Sequence, residues 1–159
     1  MRFCLLLIFL FSTCFAAAQP QVIHASRING YQITNERLLE EDVNFFVLAD
    51  TLSFLDIFSP IIKSKIPDFS KHWFIAIALP PQQRDYQMTV NKVSYKAGNF
   101  IEIYIGIDRK GGKLSYTNYP ISTVLIPKYD NIEVVNFYES ASLKKVGSVD
   151  VKIRKPRKH

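Results

Sequence analysis

The sequence predicts a mainly β protein, an antiparallel β-sandwich or open barrel with one short helix near residues 51–58. Three observations carry this. Residues 100–107 alternate strictly, with Ile101, Ile103, Ile105 and Ile107 on one side and Phe100, Glu102 and Tyr104 on the other. A period of two with this much Ile and Tyr is a strand signature. Residues 72–79 form a nearly continuous apolar run, the pattern of a strand covered on both faces. Further strand-like stretches recur at short intervals with turn residues between them, as in sandwiches and barrels.

The elements follow in chain order. Arg2, the apolar run Phe3–Phe15 and the small residues Ala16-Ala17-Ala18 read as a signal peptide over 1–18, cut before Gln19. The run is shorter than the roughly 20 apolar residues that span a bilayer. Phe11-Ser12-Thr13-Cys14 loosely resembles the bacterial lipoprotein box, although Phe11 and Thr13 depart from it. The expected location is therefore exported, periplasmic or cell-envelope, either free or lipid-anchored through Cys14. Cys4 and Cys14 both precede Gln19. A chain starting there has no disulfide, no thiolate nucleophile and no thiolate metal site.

Residues 19–35 read as a flexible leader and 36–153 as a single β-rich domain. Leu38–Asp42 is a helical turn or loop, and Val43–Leu48 a short strand. Asp50 is an N-cap, because its carboxylate can accept first-turn N–H groups. Leu52, Leu55, Ile57 and Phe58 then give one apolar side, and Pro60 ends the helix. This helix is expected to plug one end or cover one edge of the sheets. Tyr86–Tyr95 alternates, with Met88 and Val90 opposite Gln87, Thr89 and Asn91. Ala97-Gly98-Asn99 is the turn into Phe100–Ile107. Asp108–Lys113, with Gly111-Gly112 inside, is the next turn. Ile121–Ile126, Ile132–Tyr138 and Val146–Ile153 complete the strands.

The charge of +6 is concentrated at one end. Without Arg2, 20 Lys+Arg become 19 against 14 Asp+Glu. Five of the 19 are Lys152, Arg154, Lys155, Arg157 and Lys158, so the body is neutral and 154–159 is a basic tail. Nucleic-acid binders carry a basic face built into the fold, so no nucleic-acid partner is expected. The tail can make weak contact with a membrane surface.

The chemistry-bearing candidates are few. Asp68, Ser70 and His72 alternate in DFSKHWFIAIALP and invite comparison with a catalytic triad. In an extended chain residues two apart project side by side, roughly 6.5–7 Å apart. A nucleophile and its base need about 2.6–3.2 Å. The reading is a turn at Pro67-Asp68, with Asp68 meeting the Ser70 N–H, followed by a strand whose exposed end carries His72. His24, His72 and His159 are too scattered for a zinc site. Glu40-Glu41-Asp42 lacks the spacing that wraps Ca²⁺ and reads as a solvated helix start. Lys110-Gly111-Gly112-Lys113 lacks the strand–loop–helix setting of a phosphate loop and reads as a hairpin tip. No catalytic residue, metal or cofactor is assigned.

The stretch from Val43 to about Tyr138 resembles the protease complex subunit PrcB family of secreted bacterial proteins. The likeness lies in the order NFFVLAD, TLSFLDIF, PDFSKHWFIAIAL, YQMTVNKVSY, FIEIYIGID and YPISTVLIPK. The family's glycine-rich turn of threonine-glycine-glycine-tyrosine type is replaced here by Pro80-Pro81-Gln82-Gln83-Arg84-Asp85-Tyr86, where only Tyr86 matches. Its proline is present as Pro120, preceded by Tyr119 and followed by Ile121 where an aromatic is expected. The resemblance implies a non-catalytic, exported accessory or binding domain that associates with a protein partner, a secreted serine protease in the namesake's case. Partner-binding candidates are the loop residues Gln82, Gln83, Arg84, Asp85 and Tyr86 with the neighbouring Tyr119 and Pro120. The alternatives are a periplasmic inhibitor or immunity protein, with 80–86 as its blocking element, and a hydrolase assembled from separate strands. The oligomeric state stays open.

Overall fold

The apolar run after His72 sets the architecture. In a computed structural model describing residues 20–61, 65–96 and 99–151, it forms a strand, His72–Ala78, in which Trp73 through Ala78 are all fully buried. Alternate residues of a strand face opposite ways, so one strand serves two cores. Trp73, Ile75 and Ile77 pack with Ile101, Ile103, Ile105, Val135 and Phe137. Phe74 and Ala76 pack on the other side with Leu48, Phe54, Phe58 and Phe69. A buried Ile or Phe side chain stabilises by about 1.5–3 kcal/mol relative to exposure, so this strand is the most heavily anchored segment of the chain.

Eleven strands lie among the described residues. They are β1 (Gln21–Ile23), β2 (Ser26–Ile28), β3 (Tyr31–Ile33), β4 (Asn44–Leu48), β5 (Phe58–Pro60), β6 (His72–Ala78), β7 (Gln82–Lys96), β8 (Phe100–Asn118), β9 (Ile121–Pro127), β10 (Val134–Glu139) and β11 (Lys145–Asp150). One sheet has the order β1-β7-β8-β10-β11, a second β2-β9-β6-β4, and β3 pairs with β5. The protein is thus mainly β with open antiparallel and mixed sheets. The first two sheets face each other across the core of Trp73, Ile75 and Ile101. The helix α1 (Thr51–Ile57) begins as expected: Asp50 accepts the Ser53 N–H at 2.8 Å and the Ser53 hydroxyl at 2.8 Å. It does not plug an end or an edge. With β3 and β5 it covers the outer face of the second sheet, where Phe54 and Phe58 pack on Phe74.

Several expectations need correction. Residues 19–35 are not a detached leader, because β1, β2 and β3 pair with β7, β9 and β5. A 3-10 turn, Glu36–Leu38, precedes β4, and Glu40-Glu41-Asp42 lies between the two rather than at a helix start. Residues 82–86 are not a loop and 110–113 are not a hairpin tip. Gln82–Tyr86 belong to β7, paired with β8 as Gln82↔Asn118, Arg84↔Lys113, Asp85↔Lys110 and Tyr86↔Arg109. One step along β7 from Arg84 to Asp85 matches three along β8. Gly111 and Gly112 therefore bulge out, and Gly111 takes φ 64°, a left-handed value that glycine adopts freely. A further departure is β10, which spans 134–139 and runs parallel to β8. Between β8 and β10 the chain returns along β9 in the other sheet, so it re-enters the first sheet at the same end as β8.

The expected signal peptide, Cys14, Ala97, Gly98 and the expected basic tail lie outside the described residues, as do 152 and 153 of the last predicted strand. Asn99 at φ 63° and the pair Lys96↔Phe100 bracket the expected turn.

On one side the two sheets close through Phe45 of β4, whose ring stacks on Phe137 at 4.3 Å. The same ring occupies the space a Cβ on Gly147 would need, 2.4 Å from its nearest atom. Gly147→Ala should therefore destabilise by about 1–3 kcal/mol, the usual cost of overpacking, in urea unfolding. Gly112→Ala, where nothing lies within 4 Å of the added Cβ, should leave stability within about 0.5 kcal/mol. Equal effects at the two positions would contradict the packing.

Candidate functional site

The chain from His72 to Lys96 and the chain from Phe100 to Pro127 form one long antiparallel ribbon. Its register runs from His72↔Pro127 to Ala78↔Ile121 in one sheet, and from Gln82↔Asn118 to Lys96↔Phe100 in the other. Leu79 N–H to Pro120 C=O at 3.0 Å carries the pairing across the junction. The ribbon therefore folds over on itself between the sheets, as strands do when they change sheets at a corner. Pro80, Pro81 and Pro120, which cannot donate to a ladder, cluster at this corner, and the Gly111–Gly112 bulge lies farther along the ribbon opposite Arg84 and Asp85. Of the seven predicted partner-binding residues, Tyr119 and Pro120 lie at the corner, and Gln82–Tyr86 lead away from it along β7. Gln82, Arg84 and Tyr86 are half-buried and Gln83 and Asp85 exposed, the alternation of a ribbon with one face toward the protein.

The corner closes one wall of a cleft of about 460 Å³. Tyr119, Pro120 and Ile121 line the cleft together with Tyr31, Ile33 and Glu36. Ile61 and Leu79 complete its apolar surface. Tyr31 is held from two directions. Its ring meets Phe54 and Phe74 edge-on at 5.6 and 5.3 Å, and its hydroxyl donates to the Lys65 carbonyl at 2.7 Å. Tyr119 and Glu36 share the cleft lining and interact. The neighbouring Glu36 carboxylate, together with burial, pushes the Tyr119 phenol above its ordinary value of 10.0. It is therefore a neutral donor at physiological pH.

Of the predicted residues the cleft takes Tyr119 and Pro120 directly. Gln82 abuts it through its pairing with Asn118, another lining residue. Gln83, Arg84, Asp85 and Tyr86 lie farther along the ribbon and do not line it. Sequence reasoning missed Tyr31, Glu36 and Ile61. The only signal for the first was the apolar–polar–apolar triplet Tyr31-Gln32-Ile33, too short to stand out.

Asp68, Ser70 and His72 come together as a turn. Ser70 donates both its N–H, at 3.1 Å, and its hydroxyl, at 2.5 Å, to Asp68 Oδ1. The N–H contact is the one expected from the sequence. The Asp68 carbonyl accepts from the His72 N–H at 3.0 Å, starting β6. The two Ser70 bonds, followed by weaker help from exposed Lys71, hold the Asp68 carboxyl below its ordinary range. The His72 Nδ1 is buried and accepts from or donates to no neighbour, so nothing links its ring to Ser70. The Ser70 hydroxyl is thus directed at the Asp68 carboxylate of its own turn rather than at the His72 imidazole, so the three do not form the serine–histidine–aspartate relay of a triad. A second carboxylate, Glu102, is buried on the outer face of the first sheet. It accepts from Tyr104 at 2.9 Å and pairs with Lys96 at 2.9 Å, and it lies outside the cleft lining. Among the described residues no group of three or more His, Cys, Asp or Glu is placed to hold a metal ion.

No family model matches the chain, and no curated protein or solved structure matches it either.

The pairing of Tyr119 with Glu36 in the cleft makes a spectroscopic prediction. Glu36→Gln removes the charge and weakens the acceptor, so Tyr119 should ionise closer to 10.0 in an ultraviolet titration of the phenols, with Tyr119→Phe identifying its component. A raised tyrosine pKa favours the neutral form in the folded state. Its stabilising contribution is present below the unfolded pKa and is lost as pH rises through the folded one. An unchanged titration in Glu36→Gln would show that the two side chains do not interact.

Proposed function

We propose that this chain is an exported, non-catalytic binding domain that engages a protein partner of the cell envelope at the corner cleft. The observation that carries the reading is the cleft itself. It is concave and mixed in character, and it is lined by Tyr119 and Pro120 together with apolar and uncharged polar side chains and the Glu36 carboxylate. Sites of this kind on loops and sheet ends serve recognition. The resemblance to the protease complex subunit PrcB family supports the same reading, since that family's namesake is an accessory subunit associated with a secreted serine protease. It makes an accessory role beside an envelope or secreted serine protease the first partner class to test. A neutral body, with its excess cations in the last residues, fits a protein partner better than nucleic acid.

The test is site-specific photo-cross-linking in the exporting cell. A photoreactive aromatic replaces Tyr119 in one variant and Val22 in another. Val22 is exposed on β1, paired near the hairpin end of the ribbon. The expected outcome is one discrete adduct from position 119 and none from 22. Equal labelling from both positions, or no adduct from either, would remove the cleft as a partner site.

A further inference from the structure

The cleft contains an unpaired strand edge. Strand β2 pairs with β9 only from Ser26↔Leu125 to Ile28↔Thr123. The next residues, Asn29 and Gly30, turn away, with Gly30 at φ 90°, and the chain continues as β3 against β5. On its other side β9 stays paired with β6 as far as Ala78↔Ile121. In an antiparallel ladder successive residues direct their N–H and C=O groups to opposite sides. Two contacts set the phase here. Pro120 C=O accepts from Leu79 N–H on the β6 side, and Ala78 C=O points the other way, toward the Asn44 amide at 3.5 Å. The pair Ala78↔Ile121 is therefore of the non-bonded kind. The Ile121 N–H and C=O point away from β6, to the side where Thr123 meets β2. At Ile121 β2 has already left, and Ile121 lines the cleft.

We infer that the cleft takes an extended peptide segment of the partner, added as a strand alongside Tyr119–Ile121, with a cationic side chain directed at Glu36. Strand addition to an open sheet edge draws its affinity from main-chain bonds and its selectivity from side-chain pockets. Here the main-chain groups are those of Ile121. The apolar side chains of the segment meet Ile33, Ile61 and Leu79. Among the described lining residues Glu36 is the one carboxylate, and none is a Lys or Arg. The charge complement is therefore a lysine or arginine one or two residues from the apolar contact. The segment takes the place that a continued β2 would have filled.

The inference rests on the binding reading, and its test separates the two. The full exported domain is titrated with the peptide acetyl-Thr-Lys-Val-Lys-Val-Lys-Thr-amide and with its Lys-to-Glu counterpart, following backbone amide shifts by NMR. The cationic peptide should shift Ile121 and Glu36, and the acidic one should not. N-methylating one set of alternate peptide amides should abolish binding, and methylating the other set should leave it unchanged, because only one set faces β9. Glu36→Gln should weaken the cationic peptide about two- to fivefold, the range of an exposed ion pair. Equal effects from both methylated sets, or binding of both peptides without a shift at Ile121, would overturn strand addition. A Tyr119 cross-link combined with such a result would keep the binding reading and discard only the strand mode.

Discussion

The structure depends on one strand being buried from both sides. Residues 73–78 carry no polar side chain except the Trp73 indole, and β6 is paired along both edges, to β4 and to β9. Its odd-numbered residues close the core between the two sheets, and its even-numbered ones close the core under α1. Everything attached to β6 inherits a fixed position. The strand that leaves it, β7, must cross to the opposite sheet within Leu79–Pro81, and β8 must bring the partner strand back through Tyr119–Pro120. The corner is the geometric consequence of that crossing. The cleft exists because β2 and β3 do not follow the ribbon around it.

This explains why some features were legible in the sequence and others were not. The doubly covered β6 was visible as an unbroken apolar run, and the half-buried β8 as strict alternation at Ile101, Ile103 and Ile105. Asp50 announced its helix, because a carboxylate before a short amphipathic stretch has few other local uses. The three-residue strands β1 to β3 left almost no trace, since so short a stretch holds at most one turn of any period. Gly111-Gly112 misled, because a glycine pair serves a hairpin tip and a bulge equally well. The parallel β8–β10 pairing depends on β9 lying in the other sheet, a fact of topology that no local pattern encodes. The cleft was half legible for the same reason. Tyr119 and Pro120 sit on a recognisable strand entry, whereas Tyr31 and Glu36 reach them only through the tertiary fold.

The Asp68–Ser70–His72 stretch shows how geometry decides between chemistries that share residue types. A serine hydroxyl already donating to a carboxylate two residues away stabilises a turn. The same hydroxyl facing an imidazole would be a nucleophile in waiting. Here the turn delivers His72 to the start of β6, and the polar residues end where the core begins. The functional interest therefore passes along the ribbon to its fold-over point, where backbone rather than side chain offers the free valence.

That free edge is the central claim, and hydrogen exchange of the unliganded protein tests it most directly. In a strand bonded on one side only, protection should alternate. The amides of Ser122 and Val124, directed at β6, should exchange slowly, as should Thr123, directed at β2. The Ile121 amide should exchange orders of magnitude faster than these neighbours, because it faces the cleft. Protection of Ile121 equal to that of Thr123 would mean that the edge is already occupied within the fold, and the cleft would lose its role as a strand acceptor.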